Sequence, residues 1–270
     1  LCEDHRPEWQ LPKGVPRGVW QYTQADHIAE QYDDFFACNR LFEFDQEVLA
    51  RHLAKPGLVV DLGCGTGRAI LPLARRGFPC LGVDLSLPML GLLGEKAEEE
   101  KLLVWRICAN LVELDCIQDE SADYCLCLFS TFGMIRGSEN RHRLLVHAQR
   151  VLKPGGLLVM HVHNFWFSLF DAVGRRWLLR SLVTAHFKRD LERGDKFFDY
   201  RGIPKMFLHT FSHRELRRAL IAAKFRLVEW IPLDTTRQRP LRRAWLFGSL
   251  RANGWIAVCE KPASATFLIR

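Results

Sequence analysis

Apolar and polar positions along the chain switch between two periods. Over residues 25–36 and 42–53 the apolar side chains recur every three or four positions, the spacing of helices that bury one face. Lys55-Pro56-Gly57 ends that pattern. Residues 58–62 are then a short, β-branched apolar run, the mark of a strand buried on both faces. A glycine-rich turn and a helix over 68–76, stopped by Gly77, complete the first unit. The unit then repeats, with strand 79–85, a helix from a Ser86 cap to residue 101, and strands 102–108 and 122–129. Helix 138–152, the breaker Lys153-Pro154-Gly155-Gly156 and strand 157–163 follow. Ser212 and Glu215 have the spacing of a capping box for a helix to 223, before two last strands over 225–233 and 254–260. This alternation predicts an α/β fold, a mostly parallel sheet with helices on both faces.

Two stretches depart from the rhythm. Residues 1–20, interrupted by Pro7, Pro12 and Pro16, read as a tail ahead of one domain over 21–270, whose first part, 21–55, is a helical cap. Residues 165–205 mix Phe165, Trp166, Phe167, Phe170 and Trp177 with Arg175, Arg176 and Arg180. They read as a helical insertion after the fifth strand, a lid over an acceptor site suited to an apolar or aromatic ligand bearing negative charge.

Composition narrows the class. With 48% hydrophobic and 26% charged residues in 270, the chain has enough apolar material for a core, which excludes disorder over most of it. No apolar run reaches the roughly 18 residues that span a bilayer, and the first 18 residues lack the apolar core of a signal peptide. The sequence starts at Leu1 rather than Met, which leaves a preceding leader open. The nine cysteines form no C-x-x-C pair, so zinc-ribbon and thioredoxin readings fail. Buried reduced thiols suit a cytoplasmic protein. The net charge of +7 is unevenly spread: residues 1–164 carry 17 Lys and Arg against 22 Asp and Glu, and residues 165–270 carry 21 against 9. A basic second half suits an anionic partner, RNA among them, or a solvated surface.

The most informative stretch is Val59-Val60-Asp61-Leu62-Gly63-Cys64-Gly65-Thr66-Gly67-Arg68. A strand leads into glycines that let the backbone turn sharply beside a ligand, and a helix starts immediately after. The dinucleotide fingerprint is G-x-G-x-x-G. Here the spacing is G-x-G-x-G, and Arg68 occupies the slot of the third glycine. Asp61 would repel a pyrophosphate and attract a cationic aminoacyl group. That favours S-adenosylmethionine over NAD. Asp84, 23 positions on at the next strand end, can accept both ribose hydroxyls. Beyond the third strand Asn110 suits an adenine edge, and Phe129–Phe132 after the fourth suit the methionine portion.

The stretches VVDLGCGTGR (59–68), GVDLS (82–86), CANL (108–111), SADYCLCLFSTFGMI (121–135) and RVLKPGGLLVMHVHN (150–164) resemble class I S-adenosylmethionine-dependent methyltransferases, of the branch that includes the ubiquinone-biosynthesis enzymes. HTFSHRELRRALIAAKFRLVEWIPLD (209–234) fits the family's last helix and sixth strand. The resemblance implies a Rossmann-like seven-stranded sheet with an antiparallel last strand. By position it places Asp61, Gly63 and Gly65 at the methionine part, Asp84 at the ribose and Asn110 at the adenine, with Cys64, Leu85, Leu111 and Phe129 as further cofactor-binding residues. In related enzymes an N-terminal helical segment closes over the cofactor, which makes Tyr22, Tyr32 and Arg40 candidates for contact. Asn110 departs from the family's usual Asp, and Lys224 from a helix-ending Gly.

Methyl transfer from a sulfonium is an in-line displacement, in which the protein aligns the groups and excludes water. A base is needed only where the nucleophile must lose a proton. His163 and His209 are the candidates, with His161 on the same strand face as His163. Ser130-Thr131-Phe132-Gly133 stands where adenine- or glutamine-modifying enzymes carry two prolines and an aromatic. The leading expectation is a methyltransferase acting on a small molecule. RNA is the alternative acceptor, since the chain's ending resembles that of tRNA-wobble-uridine methyltransferases. A cofactor-binding protein without catalysis is a third reading.

Overall fold

The β-branched run that opens the glycine turn becomes the central strand of the sheet. A computed structural model describes residues 6–37, 41–187 and 191–263. Four helices come first: α1 (Arg17–Gln24), α2 (Asp26–Glu30), α3 (Tyr32–Ala37) and α4 (Leu41–His52). Then β1 (Val59–Leu62), α5 (Ile70–Arg75), β2 (Cys80–Asp84), α6 (Leu87–Glu99), β3 (Val104–Cys108) and β4 (Ala122–Cys127) alternate. A short α7 (Thr131–Met134), α8 (Ser138–Val151) and β5 (Leu152–His163) complete the first half. A 3-10 turn over Phe165–Phe170, α9 (Ala172–Phe187), β6 (Asp195–Tyr200) and β7 (Ile203–His209) follow. The chain closes with α10 (His213–Ala222), β8 (Arg226–Pro232), α11 (Gly248–Arg251) and β9 (Gly254–Glu260).

Seven strands form one sheet in the order β3-β2-β1-β4-β5-β9-β8. The first five are parallel, and β9 inserts antiparallel between β5 and β8, as the resemblance implies. Alternation along the strands feeds two cores. Val60, Leu62, Cys125, Cys127, Met160 and Val162 face α8 and α10, while Val59, Leu126, Leu128 and Val159 face α4, α5 and α6. Helices therefore cover both faces, and the carboxyl ends of β1, β2, β4 and β5 share one rim.

The structure corrects two expectations. Part of the stretch read as a tail is ordered and packed: Pro16, with φ −67°, leads directly into α1, where Val19 and Trp20 are buried. Pro at the start of a helix forgoes only an N–H that has no partner there, so the prolines disguised a helix start. The insertion is also not wholly helical. After α9 the chain forms a β6–β7 hairpin that runs on to His209. Its turn, Arg201-Gly202, has φ of 48° and 82°, the two left-handed residues that match the twist of paired strands. Lys224 likewise stands at φ 63°, the left-handed position where the family carries glycine.

Candidate functional site

At the rim above β1, β2 and β4 the structure encloses about 1040 Å³, its open mouth included. The floor is the glycine turn. Gly63 stands at φ 86°, and a Cβ there would meet Thr131 at 2.3 Å, so the turn needs glycine for conformation and for space. Gly65, at φ 52°, would present a Cβ to open space and leaves its backbone bare toward the cavity. Its N–H donates to Asp84 Oδ2 at 2.8 Å, while Ser86 N–H donates to Oδ1 at 2.9 Å. The carboxylate of Asp84 is thus aimed by two backbone bonds, each oxygen keeping capacity for a further donor. Burial raises its pKa, against those backbone bonds.

Asp61 lies beside it at the end of β1 and is 2% exposed. Burial, reinforced by the Asp84 charge, pushes its pKa up to about 8. A cationic group of a ligand is what this carboxylate lacks. Cys64 and Leu85 line the wall near these acids. Asn110 and Leu111 line another part, and the Asn110 amide donates to Lys13 O at 3.0 Å, fastening the N-terminal segment there. Phe129 closes the β4 side. It and Ser130 stand at φ 53° and 66°, two successive left-handed residues without glycine, strain of the kind that gathers at functional sites.

The roof comes from the N-terminal helices. Tyr32 lines the cavity and lies under the Arg68 guanidinium, 5.5 Å from its ring centre. Arg40 falls outside the described residues. Next to Tyr32, Asp33 accepts from the Thr66 hydroxyl at 2.8 Å and Arg68 Nε at 3.3 Å, and pairs with Lys96. Burial works against ionisation of Asp33, but these partners outweigh it and hold its pKa below the usual range. So Arg68, in the slot of the missing third glycine, clamps the cap onto the turn. Gly14, Val15, Val19, Tyr22 and Thr23 also line the cavity. Apart from Tyr22 these escaped the sequence reading, although Val15, Val19 and Tyr22 repeat at helical spacing.

The histidines lie elsewhere. His209 does not line the cavity. Its Nδ1 and Nε2 are each 2.7 Å from a carboxylate, Asp195 and Glu215. Burial opposes its charge, but the two acids prevail and raise its pKa. With both nitrogens engaged it ties β7 to α10 and is no free base, a correction to the sequence reading. Glu192, which pairs with Arg141, belongs to the same network. His163 lines a second cleft, at the end of β5. Burial, then Arg237, His161 and Lys196, hold it far below the usual imidazole pKa. Arg237 Nη1 lies 3.0 Å from Nε2 and 3.3 Å from Nδ1, so the neutral ring accepts from the guanidinium. His161 is buried, with Nδ1 3.2 Å from Asp45 of α4 and Nε2 without a partner.

A family model described as a methyltransferase domain matches residues 60–160. Demethylmenaquinone methyltransferase of Tropheryma whipplei is 30% identical over 142 residues, 50% of this chain and 55% of that protein. The chain spans about half the length of the curated relatives it matches. Among solved structures, the CcbJ methyltransferase of Streptomyces caelestis superposes with a TM-score of 0.64 at 21% identity, over 89% of this chain and 99% of that one. The 1,6-didemethyltoxoflavin-N1-methyltransferase of Burkholderia thailandensis, solved with bound S-adenosylhomocysteine, gives 0.61 at 18%, over 94% and 93%. These structures share the fold. Residues 60–160 thus match a methyltransferase domain, carried on the fold that these solved structures share.

Proposed function

We propose that the chain transfers a methyl group from S-adenosylmethionine to a small-molecule acceptor in the cytoplasm. The observation that carries this is the pair of carboxylates, buried Asp61 and half-buried Asp84, that line one cavity from neighbouring strand ends across a bare glycine turn. In this reading Asp61 holds the aminoacyl ammonium, Asp84 the ribose hydroxyls and Asn110 the adenine edge. Leu85 and Leu111 flank the base, and Phe129 packs beside the methionine portion. When bound, the sulfonium supplies an electrophilic methyl. The chain's own part is to fix its orientation and to shut out water, which the roof of α1 and α3 serves. The cytoplasmic placement rests on free cysteines such as Cys64, Cys125 and Cys127. No helix among the described residues is long and apolar enough to cross a membrane.

Calorimetry tests the cofactor part: S-adenosylhomocysteine binds and NAD does not. The reverse result overturns it. Incubation with methyl-labelled cofactor and a metabolite extract, followed by mass analysis, then finds the acceptor. An RNA acceptor is the second reading, drawn from Arg242, Arg243 and the exposed rings of Trp245 and Phe247 in the connection before β9. Labelled product in the nucleic-acid fraction, with binding that weakens steeply with salt, would favour it.

A further inference from the structure

The cleft at the end of β5 lies apart from the cofactor cavity and has a chemistry of its own. It holds about 670 Å³, mouth included. Phe167 of the 3-10 turn and Phe198 and Leu208 of the hairpin give it apolar walls. Lys196 and the imidazole of His163 are its titratable lining, and no Asp or Glu lines it. Neither Lys196 nor Arg237 has an ion-pair partner among the described residues. Lys196 rests its ammonium 5.5 Å from the centre of the Trp177 ring. Arg237 spends its hydrogen bond on His163 from behind, and its Nε is buried without a partner. Asp45, whose charge reaches Arg237, is bonded to His161 instead. Two cations thus flank a neutral ring at the end of an apolar slot, an arrangement that disfavours a cationic guest and favours an anionic one.

A row of three rings separates the cleft from the cofactor cavity. The ring of His163 lies 6.4 Å from that of His161, which lies 6.3 Å from that of Phe129, a wall of the cofactor cavity.

We propose that this cleft anchors the methyl acceptor, and that the acceptor is an organic anion with an apolar body. Lys196 meets its charge, His163 lies against it with Arg237 behind, and Phe167, Phe198 and Leu208 enclose its apolar part. This assignment rests on the methyltransferase reading above for the word acceptor, but the anion site is tested without turnover.

The test is calorimetry on the full chain saturated with S-adenosylhomocysteine, using benzoate, phenyl phosphate and neutral benzyl alcohol as probes. At least one anion is expected to bind about tenfold or more tighter than benzyl alcohol, the benzoate and phosphate arms telling which charged group the cleft prefers. Lys196→Gln is expected to remove roughly tenfold of that affinity and Arg237→Gln a smaller part, with S-adenosylhomocysteine binding unchanged in both. Equal binding of benzoate, phenyl phosphate and benzyl alcohol, no anion binding, or anion binding indifferent to Lys196→Gln overturns the proposal. A ribo-oligonucleotide that binds more tightly than either small anion, and loses affinity in the same variants, assigns the cleft to RNA and overturns the small-molecule acceptor. If S-adenosylhomocysteine itself fails to bind, the cofactor reading falls, and the anion titrations on the unliganded protein still decide the cleft.

Discussion

Asp61 is where burial and ligand binding pull in opposite directions. Its folded pKa of about 8 stands far above the unfolded carboxylate value. The folded, unliganded protein therefore holds a proton that the unfolded chain gives up, so this residue makes stability fall as pH rises from about 4 to about 8. A bound ammonium needs Asp61 ionised, so below pH 8 cofactor binding must release that proton. The affinity for S-adenosylhomocysteine is thus expected to rise with pH up to about 8, and Asp61→Asn to abolish that rise. A wild-type titration curve that is flat from pH 6 to 8 would remove Asp61 from the ammonium site. Asp84→Ala loses hydrogen bonds to charged oxygen worth about 1.5–3 kcal/mol and is expected to weaken cofactor binding roughly ten- to over a hundredfold. Unchanged affinity in the folded variant rules out the ribose role. These residues were legible in the sequence because each sits at a fixed offset from a glycine turn or a strand end. The state of His209 was not, since it is set by Asp195 and Glu215, which only the fold brings to the ring.

Elements were legible where one hydrophobic period ran uninterrupted, as in β1, β2, β4 and α8. They were lost where a breaker residue served a different purpose. Pro16 starts α1, and Arg201-Gly202 turns a hairpin whose outward residues Phe197 and Asp199 are exposed while Ile203, Met206 and Phe207 are buried. The alternation was present, but aromatic residues on both faces hid it. The cap depends on one contact of the same hidden kind, the Asp33 carboxylate on Thr66, Arg68 and Lys96. Asp33 is partly exposed, so solvent discounts the pairing to about 0.5–1 kcal/mol. Asp33→Asn is expected to loosen α3 and weaken S-adenosylhomocysteine binding about two- to fivefold. Because the pKa of Asp33 is depressed, this contribution is present above the ordinary carboxylate range and fades as pH falls below it. Proteolysis within residues 24–40, faster in the variant and in acid, reports the same loosening. An unchanged cleavage rate places the hold on the cap elsewhere.

At the scale of the molecule, the insertion and the cap are coupled through one tight interface. No described residue of 165–205 lines the cofactor cavity, which taken alone predicts that the insertion is dispensable for cofactor binding. Gly18 of α1, however, lies against the hairpin so closely that a Cβ there would meet Lys205 O at 2.4 Å. Val19 packs with Met206 and Phe207 of β7, and α1 carries Val19, Tyr22 and Thr23 on the cavity wall. The hairpin thus holds the roof, while the 3-10 turn and α9 lie on its far side, where Phe165 packs against Trp177 and Val173 and Phe187 remain exposed. Two deletions separate the roles. Replacing residues 171–190 by a short flexible linker is expected to leave the dissociation constant of S-adenosylhomocysteine unchanged while lowering methyl transfer, since Lys196 loses the Trp177 ring it rests on and the roof is kept. Removing residues 195–209 in the same way is expected to weaken cofactor binding at least tenfold, because α1 loses the surface it is moulded to and the Gly18 contact cannot be remade elsewhere. Equal cofactor affinity in the two deletions would break the coupling, and full transfer after the first would show that α9 only buttresses the core.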